Sequence, residues 1–418
     1  MKTRCWTKEN YKNINLKFVA LVINPILALF FALKELKSKT SFILLFLLSI
    51  IFGSSLTVAN VRTEQNNFDG IGYRIEFENY VKLTNSDFIR NFNNYISFTG
   101  DTDFFDDIFY FIVSRVTDNY HVMYMLLAII FSFFLLKSLK YFVLEDNFSN
   151  SLVSFILLYL FLSNQIININ MFRFYIALWI TVYTLLKVFI FKKLYNIFFL
   201  LIIPFIHASF FLLFILIPLY CLIKKDFLLK PLFIISLVVS GISIELLQQS
   251  AGFLPDTIGV KVLAYTDENY MYIINESGSG FIWIKRMVER ISVGYINFLV
   301  FVMMFNYKIN IKNTKCQSLF LFLVLLMSFV NFTLFIPSVG SRFIMMALPF
   351  IAYIWLTCFH EIKFNKYIYG LGVIFVIHAI FPFNIYQFPC LRHYGQLLES
   401  SFWINSPLVS FVKYIFWQ

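Results

Sequence analysis

Two arginines in this sequence stand where apolar stretches begin, and their side chains could bind an anion. Arg173 follows Asn170-Met171-Phe172, and Arg342 follows the short turn 337–341. The guanidinium group is planar and presents its donors as a fork, so it can bind phosphate or carboxylate through two hydrogen bonds at once. For each arginine two interpretations stay open: a catalytic anion ligand facing a cavity, or an anchor that snorkels to a membrane interface.

A histidine lies in the middle of a long apolar stretch, in Phe205-Ile206-His207-Ala208-Ser209. Neutral imidazole can accept a hydroxyl proton near neutral pH, which makes His207 a candidate catalytic base. Ser209 is a candidate substrate-binding residue beside it. The alternative is a core histidine with one hydrogen bond.

A second pair of arginines, Arg286 and Arg290, shares one face of a predicted helix because the two are four residues apart. They are candidate substrate-binding residues; a solvated or lipid-headgroup-binding face is the alternative.

Four carboxylates cluster at Asp101, Asp103, Asp106 and Asp107. They could bind a metal, but no His or Cys accompanies them, and capping of a helix N-terminus also explains them. We predict no metal site and no cofactor. The sequence contains no Walker A motif, Ser-nucleophile elbow or HExxH pair, so ATP-driven transport and hydrolase chemistry lack support.

Composition indicates that hydrocarbon, not water, is the main solvent of this chain. Of 418 residues, 60% are hydrophobic and 14% are charged, whereas soluble proteins carry about 25% charged residues. The net charge of +11 comes mostly from single lysines between apolar runs. We therefore predict one integral membrane domain, 1–418, and no nucleic-acid partner.

Apolar runs long enough to approach a bilayer span recur along the chain. They lie near 16–33, 41–59, 121–140, 152–166, 174–191, 231–247, 291–306, 317–336, 343–359 and 367–382. Together with the stretch 195–223 they predict an all-α, polytopic transmembrane bundle of about 11–12 membrane segments.

The stretch 195–223 is too long for one ordinary span and is bracketed by lysine pairs at 192–193 and 224–225. We predict a hairpin of two short helices with its tip near His207, inside the membrane profile. Broken helices at that depth are tolerated where they line a cavity.

Lysines orient the predicted bundle. Six connections between the runs hold sixteen lysines and no arginine, which predicts that they face the cytoplasm. The loops 60–120 and 248–290 and the tail 383–418 then lie outside, and within the first loop Phe104–Val116 should form an amphipathic surface helix. All arginines except Arg4 fall on this outer side.

One conflict remains at the N-terminus. Strict alternation puts it outside, although Lys2, Arg4, Lys8 and Lys12 favour the cytoplasm. Either the first run is re-entrant or the charge rule is overridden there.

These motifs resemble the Wzy/EpsG class of bacterial polysaccharide polymerases, in order and topology over roughly 55–360. Asn170-Met171-Phe172-Arg173 with Ala177 is similar to that family's arginine-containing span, and Phe205–Ser209 is similar to its His-x-Ser element. Gly340-Ser341-Arg342 resembles its late arginine. Asp69 and Tyr73 match loosely the family's Gly-Thr-Asp-x-x-x-Tyr element, which implies a substrate-binding Asp69.

The resemblance implies an enzyme of O-antigen or capsule biosynthesis in the bacterial inner membrane. Such a glycosyltransferase would move the growing glycan between undecaprenyl-diphosphate-linked oligosaccharides at the periplasmic face, without a metal. Arg173 and Arg342 would hold the diphosphate, and His207 would accept the hydroxyl proton. Membrane lipid and a chain-length regulator are the other expected partners. An O-antigen ligase and a lipid-linked oligosaccharide flippase remain alternatives; the two long outer loops and the lack of an internal repeat favour the transferase.

Overall fold

The computed structural model describes residues 11–62, 69–97, 99, 103–145, 150–223, 225–239, 248–249, 251–253, 256–267, 282–334, 336–380 and 398–416. Within these ranges the regular structure is helical, apart from one isolated antiparallel bridge between Leu56 and Leu398. The predicted all-α, polytopic helical architecture is confirmed.

The helices are numbered along the chain. They are α1 (Tyr11–Ile23), α2 (Pro25–Lys34), α3 (Lys39–Ser54), α4 (Asp69–Lys82), α5 (Asn85–Ile96), α6 (Phe105–Ser114), α7 (Tyr120–Glu145), α8 (Ser151–Phe161), α9 (Phe172–Leu185), α10 (Phe198–Ile206), α11 (Leu212–Ile223), α12 (Asp226–Val238), α13 (Asp256–Thr266), α14 (Ile282–Phe305), α15 (Gln317–Thr333), α16 (Pro337–Cys358), α17 (Asn365–Ile380) and α18 (Pro407–Phe416).

Four helical stretches are long and apolar enough to cross a membrane: Tyr120–Glu145, Ser151–Ile190, Arg286–Phe305 and Val339–Cys358. The second contains a turn at 162–165. The rings of Phe161 and Trp179 lie 5.8 Å apart, whereas a straight helix would separate these residues by about 27 Å. Helices α8 and α9 therefore lie side by side and correspond to two separate predicted spans.

The lysine-rich connections after α7, α9 and α14 meet at one end of the bundle. Lys315, just before α15, forms an ion pair with Glu145 at the end of α7. Lys192, after α9, donates a hydrogen bond to Ser318 Oγ at 3.2 Å. These contacts agree with the prediction that the connections share one side, called here the lysine end.

The predicted hairpin is formed by α10 and α11. Its first limb starts next to Lys193, and its second limb returns to the lysine end, where the ring of Tyr220 lies 5.3 Å from that of Phe189. The first limb consists of a 3-10 turn (Leu194–Ile197) and the nine residues of α10, about 22 Å in all, against about 39 Å for the 26 residues of α7. His207 breaks the helix with an extended backbone (φ −154°, ψ 116°), and its ring accepts the N–H of Ser209. The tip at His207 therefore ends well before the far end of the bundle.

The first apolar run is also a hairpin, divided at Asn24. Asn24 caps α2 by accepting the N–H groups of Ile26 and Leu27. The start of α1 lies beside the end of α2, because Lys17 Nζ is 2.8 Å from Glu35 Oε2 and 3.0 Å from Ser38 Oγ. Helix α3 starts directly after Ser38 and runs antiparallel to α7, because a Cβ on Gly53 near its end would lie 2.4 Å from Ala128 Cβ in the first half of α7. Both ends of the run therefore lie at the lysine end, which favours the re-entrant solution to the charge conflict.

This hairpin can be tested by thiol labelling in whole cells with a membrane-impermeant reagent. In a variant with the five native cysteines changed to serine, we expect Asn13→Cys and Lys37→Cys to stay unlabelled until the cells are permeabilised. Asp87→Cys, in the exposed first turn of α5, should label at once. Immediate labelling of Asn13→Cys together with Asp87→Cys would contradict the hairpin.

Candidate active site

A cavity of about 430 Å³ opens at the end of the bundle opposite to the lysine end. Tyr124, in the second turn of α7, donates its hydroxyl to Gly70 O of α4 at 2.9 Å, so α4 lies far from Glu145. The polar lining comes from five separate parts of the chain: Arg62, Asp69, Tyr73, Glu76, Asp103, Arg173, His207, Ser209, Ser341 and Arg342.

Five of the seven predicted site residues meet in this cavity: Asp69, Arg173, His207, Ser209 and Arg342. They come from positions up to 273 residues apart, so the sequence motifs converge only through the fold.

Arg286 and Arg290 are not among the residues that line this cavity. Both lie near the start of α14, a continuous helix that carries them on its partly or fully exposed side. Their spacing did predict a shared helical face. Which way such a face points depends on the packing of neighbouring helices, so their substrate-binding role remains a prediction.

Arg173 is the best-anchored cation of the cavity. Its Nη1 lies 3.0 Å from Asp106 Oδ2 and 3.5 Å from Asp103 Oδ2, both buried carboxylates. Its guanidinium carbon lies 5.3 Å from the centre of the Tyr73 ring. With both carboxylates ionised, this group of three has a net charge of −1, so Arg173 contributes directed N–H donors more than net positive charge.

Asp103 also fixes the hairpin tip. Its Oδ1 accepts the backbone N–H of Ala208 at 2.7 Å, while Oδ2 faces Arg173. One carboxylate thus connects the first outer loop, the start of α9 and the α10–α11 tip. The tip is held against the cavity by this bond.

Helix capping does not explain the acidic cluster, which corrects one sequence interpretation. The N-cap residue of α6 is Phe104, without a side-chain cap bond, and only Asp106 and Asp107 lie in the first turn. Asp107 accepts the hydroxyl of Tyr80, while Asp103 and Asp106 hold Arg173. Asp101 lies outside the described residues. Among the residues that the structure describes, no group of three His, Cys, Asp or Glu is placed to hold a metal ion.

His207 and Ser209 form a close pair. Ser209 Oγ lies 2.8 Å from His207 Nδ1, and the backbone N of Ser209 lies 3.3 Å from the same atom. A backbone N–H can only donate, so Nδ1 is an acceptor and neutral His207 carries its proton on Nε2. The basic lone pair of the ring therefore faces the serine hydroxyl.

Arg342 differs from Arg173 because it has no carboxylate within ion-pair distance in the described part of the chain. Its guanidinium carbon lies 5.7 Å from the centre of the Phe174 ring. Gly340 allows this placement: a Cβ there would lie 2.6 Å from both Leu334 Cα and Thr333 O. The glycine lets the first turn of α16 press against the end of α15, which fixes where Arg342 enters the cavity.

Sequence reasoning missed two polar lining residues, Arg62 and Glu76, and named Tyr73 only as part of a loosely matched motif. Arg62 is packed so closely on α4 that a Cβ on Gly72 would lie 2.2 Å from its Nη2 atom. Glycine inside a helix costs about 1 kcal/mol relative to alanine. Two glycines in the first turn of α4, Gly70 and Gly72, were therefore the available sign of a close approach.

A family model described as the EpsG family matches residues 42–398. No curated protein and no solved structure matches the chain.

The carboxylates around Arg173 outnumber it, and this affects their protonation. Burial, with smaller repulsion from Asp107, Glu76 and Asp103, raises the pKa of Asp106 to about 7, although Arg173 acts in the opposite direction. Burial likewise raises the pKa of the Tyr73 hydroxyl to about 12, so this phenol stays neutral.

The raised pKa of Asp106 predicts a pH-dependent stability. In the unfolded chain this carboxyl ionises near its ordinary value of 3.8, while the folded protein keeps the proton until about pH 7. The contribution of Asp106 to stability should therefore decrease as the pH rises from about 4 to 7 and then level off. We expect Asp106→Asn to flatten this part of the melting-temperature profile in nanodiscs. An unchanged profile would contradict the assignment, and Asp87→Asn, on the exposed helix α5, is the matched control.

Proposed function

The chain belongs to the EpsG family, whose members are polysaccharide-polymerase-like membrane glycosyltransferases, and on that premise we propose a specific reaction. The protein transfers the growing glycan from one undecaprenyl-diphosphate carrier to the repeat unit on another, in O-antigen or capsule biosynthesis. We place the reaction at the periplasmic face of the bacterial inner membrane, which the chain crosses several times. A chain-length regulator is the expected protein partner.

One observation carries the proposal: guanidinium groups and a His–Ser pair converge in a cavity at the end opposite to the lysines. In the proposed transfer, the bond between the first sugar and the diphosphate breaks, and its electron pair stays on the diphosphate oxygen. The greatest catalytic need is stabilisation of that growing negative charge. A lipid diphosphate is already activated, so no cytoplasmic energy source is required.

The two arginines take unequal roles in this reaction. Arg342 has no carboxylate partner among the described residues, so its full charge is available to the diphosphate. Arg173 is oriented by Asp103 and Asp106 and offers the N–H groups that these carboxylates leave unused. Arg342 is thus the main charge partner and Arg173 a positioned second donor.

The proton of the attacking hydroxyl leaves through the His–Ser pair. Because Nδ1 of His207 faces Ser209 Oγ at 2.8 Å, the serine hydroxyl gives its proton to the ring as it takes one from the acceptor sugar. The imidazolium can then return the proton to the departing diphosphate. Asp69 and Glu76, on α4, line the cavity with carboxylates that can accept hydrogen bonds from sugar hydroxyls.

Substitution of Arg342 tests the proposed diphosphate contact. We expect Arg342→Ala to slow chain extension by about 10²–10³-fold, the usual cost of removing one such donor. The glycan ladder on a gel should collapse to core plus one repeat unit, at matched protein levels. Arg342→Lys should retain part of the activity, since it keeps the charge and loses the fork. Normal ladders from Arg342→Ala would reject this role, and loss of all attached glycan would indicate a ligase.

The role of Arg173 must be tested together with a substitution that removes one of the carboxylates it pairs with. Arg173→Ala alone removes the ion-pair partner of two buried carboxylates, which costs about 3–5 kcal/mol and can lower protein levels. The double variant Arg173→Ala/Asp106→Asn removes one of those charges. We expect it to accumulate normally and still give shortened ladders, with Asp106→Asn alone as the control. Normal ladders from the double variant would exclude Arg173 from the reaction.

A double-mutant cycle tests the proton path. We expect His207→Ala and Ser209→Ala each to slow extension by about 10²-fold or more, and the double variant to be no slower than the worse single variant. Ser209→Thr keeps the hydroxyl and should retain most activity. Multiplicative losses in the double variant would mean that the two side chains act independently, contrary to a shared proton path.

A further inference from the structure

Three phenylalanines form a continuous exposed row on the α10–α11 hairpin. The ring centres of Phe205 and Phe211 lie 6.4 Å apart, and those of Phe211 and Phe214 lie 5.7 Å apart. The three side chains are 48%, 37% and 39% exposed, respectively. Phe211 also lines the cavity. The row, called here the phenylalanine strip, therefore begins inside the site and continues on the outside of the hairpin.

The strip lies beside the reactive pair in both sequence and space. Phe205 precedes His207 by two residues, and Phe211 follows Ser209 by two, so the turn that carries the proposed base also carries the rings. Below the tip, Ile202 on α10 and Ile215 on α11 are exposed as well. They extend the apolar surface toward the lysine end, along the short limbs of the hairpin.

This geometry suits a long hydrocarbon chain attached to a charged head. The cavity holds guanidinium groups that match a diphosphate, while the hairpin stops short of the far end of the bundle and exposes its tip sideways. A chain leaving the cavity past Phe211 would enter the bilayer without crossing water. The edge-to-face rings of the strip offer dispersion contacts to a hydrocarbon chain directly beside the cavity.

We propose that the phenylalanine strip binds the isoprenoid chain of the lipid diphosphate, next to the diphosphate group. This proposal rests on the function proposed above, because it needs a lipid diphosphate in the cavity. The strip guides the carrier from the bilayer and sets the depth at which its diphosphate meets Arg342. Ordinary phospholipid resting on the same rings is the competing occupant that the test must separate.

Photo-crosslinking distinguishes the two occupants. A benzophenone amino acid replaces Phe214 or, as the matched control, Phe298 of the full-length protein in phosphatidylglycerol nanodiscs with radiolabelled undecaprenyl diphosphate. Phe298 is 41% exposed and has ring neighbours at 5.7 Å, but it does not line the cavity. We expect the yield at position 214 to exceed that at 298 about fivefold, and saturating inorganic diphosphate to remove the excess.

Equal yields at the two positions, or a yield at 214 that inorganic diphosphate leaves unchanged, would overturn the proposal. Direct binding of inorganic diphosphate to the protein separates this failure from a failure of the proposed function. If the protein binds diphosphate in an Arg342-dependent way and the excess at 214 is absent, only the strip is refuted. If it binds no diphosphate, both proposals fall.

A pair of double variants gives a second readout. Because lipid is as apolar as the strip, only packing is lost when rings are removed. Phe205→Ala/Phe214→Ala should therefore weaken undecaprenyl diphosphate binding about 3- to 10-fold and leave inorganic diphosphate binding unchanged. Phe155→Ala/Phe298→Ala, which removes two exposed rings elsewhere, should alter neither. Equal weakening by both pairs would refute a dedicated chain site, and equal melting temperatures verify the fold.

Discussion

The buried ion cluster of Arg173 with Asp103 and Asp106 is the contact on which the site depends. A charge at the rim of hydrocarbon is costly unless it is paired or reaches water, and Arg173 is paired with these two buried carboxylates. Asp103 uses its second oxygen to hold the Ala208 N–H at the hairpin tip. Asp103 thereby joins three segments at one point: its own, that of Arg173 about 70 residues later, and that of Ala208 about 105 residues later. Helix α4 and Asp103, two residues before α6, are consequently part of the cavity wall.

The two ends of the bundle use different cations for physical reasons. Lysine is a compact, strongly hydrated charge on a flexible stem, which suits connections that must stay in water and set orientation. The contacts Lys315–Glu145 and Lys192–Ser318 join such connections. Arginine loses less hydration when it is buried and binds in a fixed plane, so it can line a cavity and stack on Tyr73 or Phe174.

Local pattern was enough to predict the helices and much of the site, but not the partners within it. Apolar run length and lysine brackets predicted the α10–α11 hairpin, because both follow from helix rise and charge cost. The partners of Arg173 depend on contacts across 67 and 70 positions, which no local period encodes. Local pattern likewise did not predict the position of Arg62, which packs against the glycines of α4, or the orientation of Arg286 and Arg290. Their shared face was readable from spacing, whereas the direction of that face is a property of the packed bundle.

Under the proposed reaction, the acidic side of the cavity has a use beyond holding Arg173. An enzyme gains no rate by binding a diphosphate equally well before, during and after transfer, and tight binding of the released carrier would slow turnover. Asp103 and Asp106 offset the charge of Arg173, so of the two arginines proposed to bind the diphosphate only Arg342 offers its charge without a carboxylate partner among the described residues. The charge that develops as the sugar bond breaks still finds directed donors at fixed positions.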